Sequence, residues 1–241
     1  QYAQQVADHI GSCHTSVCMD KSIFLSAIEE VIRSIESWDV TTVRASVGNY
    51  LVAKYIRENT DFNVVLNGDY SDEVTGGYLY MKLAPGYQEF RRECMRLVDN
   101  IHFFDSLRSD RTVCAHGLEA RTPFADKEFV EYYLSVDPEI TSPHGEMEKF
   151  GLREAFRDSG LLPPGVLNRR KEAFSDGVSA EDNSWHNIVN DYVIRLGYKS
   201  EEDAYLGMFR EYYRHHERVI PYKWMPRYCN AQDPSARTLS T

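Results

Sequence analysis

The chain has 241 residues, 42% of them hydrophobic and 27% charged, enough for a folded domain with a sizeable core. Its formal charge of -10 argues against nucleic acid as the main partner, because a basic stripe is the usual footprint of that class. No apolar run approaches membrane-spanning length, so no membrane partner is expected. The five cysteines are scattered without a CxxC pair. They fit reduced thiols in a cytoplasmic compartment. The histidines show no metal-ligand spacing. The chain opens Gln1-Tyr2-Ala3 without an initiator methionine, which is expected of a fragment or a processed chain.

In chain order, Ala3 to Ile10 reads as a short helix ending at Gly11, and His14 to Met19 as a short strand. Asp20 is placed to cap a helix in which Phe24, Leu25, Ile28, Val31, Ile32 and Ile35 recur on one face. Trp38-Asp39 breaks it. Thr41 to Glu58 reads as a second helix, and Asn63 to Leu66 as a buried strand. Pro85-Gly86 marks a turn. Helical stretches follow over Tyr87 to Val98 and Ile101 to His116. Pro123, Pro138 and Pro143 punctuate an irregular middle. Glu146 to Arg157 reads as a helix stopped by Pro163-Pro164. The tail from Tyr222 onward is expected to wrap the surface. Helix dominates, with two or three strands.

Four stretches carry chemistry. The first is Asn67-Gly68-Asp69-Tyr70-Ser71-Asp72-Glu73, directly after Val64-Val65-Leu66. Open α/β sheets place ligands at the carboxyl ends of strands. Clustered carboxylates suit magnesium, which commonly bridges protein carboxylate to substrate phosphate. Gly68 lets a nucleotide approach the backbone. The plainer alternative is a helix start with Ser71 or Asp72 as its cap. The second stretch, Asn168 to Gly177, holds Arg169-Arg170-Lys171, which neutralises phosphate or is simply a solvated charge run. In the third, Thr41 and Arg44 share a helix face, and Arg44 can grip a carboxylate or serve as an ordinary surface arginine. In the fourth, His116 to Asp126, Glu119 and Arg121 are expected to pair and shape the backbone.

Together these stretches resemble the synthetase domain of glutamine-hydrolysing asparagine synthetases. The resemblance rests on D-V-T-T-V-R-A-S-V-G (39–48), G-x-x-S-D-E (68–73), A-H-G-L-E-A-R-T-P-F (115–124), R-K-E-A-F-S-D-G (170–177) and W-M-P-R-Y-C-N-A-Q-D-P-S-A-R-T-L (224–239). It implies a helix-rich α/β fold, with a parallel sheet of the adenine-nucleotide α-hydrolase-like (PP-loop ATPase) type and a helical C-terminal extension. It implies that ATP adenylates the side-chain carboxylate of aspartate, giving β-aspartyl-AMP and pyrophosphate, and that ammonia derived from glutamine then displaces AMP. ATP and magnesium are the implied cofactors, and a homodimer is allowed. Asn67 and Gly68 stand at ATP-contacting positions. Asp72 stands at the carboxylate for magnesium and pyrophosphate, and Lys171 at the pyrophosphate lysine. Thr41 and Arg44 match substrate or adenylate contacts, and Asp69 the acid/base group.

Three features depart from that pattern. The family loop reads S-G-E-G-S-D-E, against N-G-D-Y-S-D-E here. Asp69 is shorter than glutamate by one methylene, and a misplacement of about 1 Å can cost on the order of a hundredfold in rate. Tyr70 puts a ring where the family has glycine. The S-G-G-x-D-S phosphate loop and the glutaminase domain are not found. Residues 1–241 are therefore expected to be a partial synthetase domain that makes no asparagine alone. Two other readings remain: a superfamily relative that amidates or cyclises another carboxylate, and a non-catalytic nucleotide-binding or structural module.

Overall fold

The computed structural model describes residues 2–144, 147–169, 185–231 and 234. Three helices open the chain: α1 (Tyr2–Ile10), α2 (Lys21–Ser26) and α3 (Ile28–Ile35). Ile28, Val31, Ile32 and Ile35 are fully buried, as the helical spacing requires. The helix expected to run on from Asp20 is divided at Ala27. There the backbone stays right-handed (φ -82°, ψ -12°), and one N–H is shared between the Ile23 and Phe24 carbonyls. The turn tightens locally, and the ladder resumes with Val31 N–H on the Ala27 carbonyl. Asp20 occupies the cap position without a side-chain cap bond. The strand expected over His14 to Met19 is absent; that segment is irregular and almost wholly exposed. Among the described residues no strand pairs with it to satisfy its backbone.

Helix α4 (Val40–Asn59) is the spine of the molecule. Asp39 caps it, accepting from Thr42 N–H at 2.8 Å and Thr42 Oγ1 at 2.9 Å. One flank, with Val43, Val47 and Leu51, joins the largest core with α3, α12 (Trp185–Arg195) and α13 (Glu201–Tyr212). Ala53 and Ile56 turn instead to a smaller core with Val113, Leu118, Val65 and Ala120. A helix apolar on more than one side is a helix buried between layers.

Among the described residues the sheet has two parallel strands, β1 (Val64–Leu66) and β2 (Glu119–Arg121), with Val64 opposite Glu119 and Leu66 opposite Arg121. Only Val65 and Ala120 face the core. Val64 and Leu66 are 50% and 74% exposed, so the strand expected to be buried is covered on one face. The Glu119–Arg121 pair forms at 2.7 Å, but along a strand rather than in a loop. Alternate residues of a strand share a face, which brings the two side chains together.

Beyond β1 lie α5 (Ser71–Thr75) and α6 (Tyr87–Asn100). The helix expected over Ile101 to His116 is broken into a 3-10 turn at Ile101–Phe103, a π-helical turn at Leu107–Arg111 and α7 (Thr112–Cys114). Then follow α8 (Lys127–Ser135), α9 (Pro138–Thr141), α10 (Phe150–Ala155) and α11 (Pro164–Leu167). Trp224 from the tail packs with Tyr80, Met81, Phe90 and Phe104 in a third core. None of the described helices is long and apolar enough to cross a membrane.

Candidate functional site: the loop after strand β1

The chain leaves β1 through Asn67-Gly68-Asp69-Tyr70 and enters α5 at Ser71. The cap residue is Tyr70, not Ser71 or Asp72. It lies in the left-handed region at φ 71°, and its carbonyl accepts from Val74 N–H at 3.1 Å. A bulky residue pays about 1–2 kcal/mol for that conformation. Its hydroxyl donates to Ser106 Oγ at 2.9 Å.

Asp69 faces Arg108, which stands in the π-helical turn. Arg108 Nη2 donates to Asp69 Oδ1 at 2.9 Å, and Nη1 lies 3.0 Å from Asp105 Oδ1. Asn49, from the middle of α4, reaches the second oxygen of Asp69 at 3.4 Å. The Asp69 N–H donates to Asn67 Oδ1 at 3.2 Å, and Asn67 Nδ2 donates to Ser109 Oγ at 3.1 Å. Gly68 is open: a Cβ built there meets nothing within 4 Å.

Asp72 points to a second cation. Lys149 Nζ lies 2.8 Å from Asp72 Oδ1 and donates to Ser71 Oγ at 2.8 Å. Lys149 also has left-handed backbone, at φ 55°. Gly77 makes room for the pair, since a Cβ there would lie 1.9 Å from Asp72 Oδ1 and 2.6 Å from Lys149 Cε. Behind both pairs, Glu73 is 1% exposed and receives the Tyr78 hydroxyl. Burial, and then the charges of Asp105 and Asp72, push its carboxyl well above the usual carboxylate range. Burial opposes the charge of Arg108, but Asp105 and Asp69 outweigh it and strengthen its hold on the proton.

Thr41 and Arg44 lie toward the start of α4. Asn49, about two turns beyond Thr41, touches the loop from the same helix. Thr41 Oγ1 donates to the Pro234 carbonyl at 3.0 Å. Arg44 is buried and grips a carboxylate of the protein itself: Nε donates to Glu201 Oε1 at 2.7 Å, and Nη2 contacts His186 Nδ1 at 2.7 Å. Burial opposes the charge of Glu201, but bonds from His186, Arg44 and Tyr205 hold its carboxyl below the ordinary value. Lys171 lies outside the described residues.

The structure thus gathers Asn67, Gly68 and Asp69 on the loop and Asp72 in the first turn of α5. It adds Asn49, Asp105, Arg108 and Lys149, none of which the sequence reading singled out. Asp105 and Arg108 stand three apart, a spacing that hints at a helical ion pair. Their distance from the loop along the chain hid their association with it. For magnesium the described residues offer Asp72, already paired with Lys149, beside Asp69 and Asp105, both held by Arg108, and contain no cluster of three His, Cys, Asp or Glu side chains able to hold a metal. They do not by themselves fit the ion.

The family described as Asparagine synthase matches residues 1–85 and 82–232. Asparagine synthetase [glutamine-hydrolyzing] of Bos taurus is 44% identical over 255 residues, which cover 99% of this chain and 46% of the relative. The Homo sapiens protein of that name shows the same identity and coverage. The Gallus gallus protein is 45% identical over 254 residues, covering 98% of this chain and 45% of its own. The chain therefore spans about half the length of these curated relatives. On this match, the chain belongs to the asparagine synthase family.

Proposed function

We propose that residues 1–241 form the C-terminal synthetase part of an ATP-dependent, glutamine-hydrolysing asparagine synthetase, on a PP-loop ATPase type of sheet. The observation that carries this reading is the loop after β1, where Asp69 and Asp72 each face a cation at the carboxyl end of a parallel strand. In the reaction, an α-phosphate oxygen–phosphorus bond of ATP is exchanged for a bond to the aspartate side-chain carboxylate, and pyrophosphate leaves. Ammonia then attacks the mixed anhydride, and AMP departs with the electron pair. Fixed charges aimed at the leaving group suit this chemistry.

The open backbone at Asn67-Gly68 leaves space for the nucleotide. Lys149, beside Asp72, supplies positive charge for pyrophosphate, together with Lys171. Asp69, oriented by Arg108 and Asn49, accepts a proton from the attacking ammonia. Thr41 keeps the start of α4 against the tail. Arg44 holds α4 on α13 through Glu201, supporting the substrate side of the site from behind. The glutamine-derived ammonia is assigned to the half of the relatives that this chain does not match.

The test joins this segment to the preceding half of the human relative and measures aspartate-dependent ATP–pyrophosphate exchange and asparagine formation from ammonia. Both are expected in the joined protein, and neither in the segment alone. Exchange supported by another carboxylic acid but not by aspartate would favour the superfamily-relative reading. Failure of the joined protein to bind ATP would favour a structural module.

A further inference from the structure

The loop residues that depart from the family pattern are Asn67, Asp69 and Tyr70, and each bonds to one short segment. Asn67 Nδ2 bonds Ser109, Asp69 Oδ1 bonds Arg108, and the Tyr70 hydroxyl bonds Ser106. The segment includes a π-helical turn, Leu107–Arg111, and such turns recur at functional sites. Ser109 is 1% exposed, so it is a fixed anchor rather than a mobile surface group. The ties run antiparallel to their partners, Asn67, Asp69 and Tyr70 meeting Ser109, Arg108 and Ser106 in turn, with those of Asn67 and Tyr70 on either side of Asp69. Asn67 also accepts the Asp69 N–H, so the backbone before the carboxylate is held as well as the backbone after it.

Glycine at position 70 adopts positive φ without steric cost but has no side chain to anchor it. Tyrosine adopts the same backbone at φ 71° and brings a hydroxyl that reaches Ser106. Burial raises the affinity of this phenol for its proton, so it stays a hydrogen-bond donor. The shorter carboxylate of Asp69 cannot search for its partner as a glutamate can. It meets Arg108 because the backbone on both sides is tied down.

We propose that Tyr70, with its partner Ser106, is a positioning residue for Asp69: the tie fixes the loop backbone so that the shortened carboxylate lands on Arg108. The three departures are then one coupled change rather than three independent ones. This rests on the reading of Asp69 as the acid/base group of the synthetase reaction.

A double-mutant cycle on the full chain tests it, with urea unfolding as the readout. Asp69→Asn is introduced alone, and again in the Tyr70→Phe, Tyr70→Gly and Ser106→Ala backgrounds. The expected result is that Asp69→Asn lowers the folding equilibrium constant about tenfold in the parent but less than about threefold once the tie is cut. Ser106→Ala should reproduce Tyr70→Phe, because both remove the same bond. If the Asp69→Asn effect is equally large in every background, the tie is a separate structural contact and the inference falls. The cycle needs no turnover, so its failure is distinct from failure of the functional reading, which the exchange assay reports. In the joined protein, Tyr70→Phe should lower the rate of asparagine formation from ammonia while leaving the KM for ATP unchanged. A raised KM at constant kcat would contradict a role through Asp69.

Discussion

Two of the residues that shape the loop after β1 have left-handed backbone without being glycine. Tyr70 aims its hydroxyl at Ser106, and Lys149 aims its ammonium at Asp72. Such conformations persist where the surroundings over-determine them, and they gather at functional sites. Gly68 in the loop and Gly77 just past α5 have opposite tolerances. Gly77→Ala drives a methyl into the Asp72–Lys149 pair and should cost about 1–3 kcal/mol in urea unfolding. Gly68→Ala meets open space and should change stability by less than about 1 kcal/mol, while weakening ATP binding by calorimetry. If both substitutions were equally harmless, Gly77 would not be what admits the ion pair. The loop itself was legible in the sequence, because an apolar run, a glycine and close-set carboxylates are all local signals. Arg108 and Lys149 were not, because the fold brings them from 39 and 77 residues away along the chain.

Among the elements, α4 ties the site to the body of the protein through its cap and through Arg44. Burial pushes the Asp39 carboxyl up to about 6, against the Thr42 hydrogen bonds, with Asp105 adding to the rise. The folded protein holds the Asp39 proton up to that pH, whereas the unfolded chain releases it near pH 4. Between those limits the folded state binds more protons, so stability falls as pH rises through them, by about 2–3 kcal/mol from this group. Asparagine caps a helix as well as aspartate does. Asp39→Asn should therefore flatten that stretch of the stability–pH curve and raise the urea midpoint at pH 7. A variant whose curve keeps the same slope would refute the assignment.

At the far side of α4, Arg44→Ala strands a buried carboxylate and should cost about 3–5 kcal/mol. Arg44→Met combined with Glu201→Leu should cost less than Arg44→Ala, since no charge is left unpaired; a larger loss in the double variant would contradict this. Helical periodicity made α3 and α4 legible in the sequence. The π-helical turn and β2 were not: the first is a local departure from regular spacing, and the second is a strand only because β1 lies alongside.

For the whole molecule, the described residues cover the parallel pair β1–β2 on one face only. Parallel strands are ordinarily covered on both faces. Phe62, Val64 and Leu66 are 68%, 50% and 74% exposed, and exposed apolar strands favour association. Leu66→Lys should reduce concentration-dependent light scattering of the purified chain with little change in thermal midpoint. A parent chain that stays monodisperse at high concentration would show that this face is not adhesive. The proposed function, finally, hinges on the role it gives Asp69, taking the proton of the attacking ammonia. The most direct test compares Asp69→Asn with the parent, in this segment joined to the preceding half of the human relative. Asparagine formation from ammonia should fall by about a hundredfold or more, while aspartate-dependent ATP–pyrophosphate exchange continues. Unchanged asparagine formation in the variant, or loss of both activities together, would contradict that role.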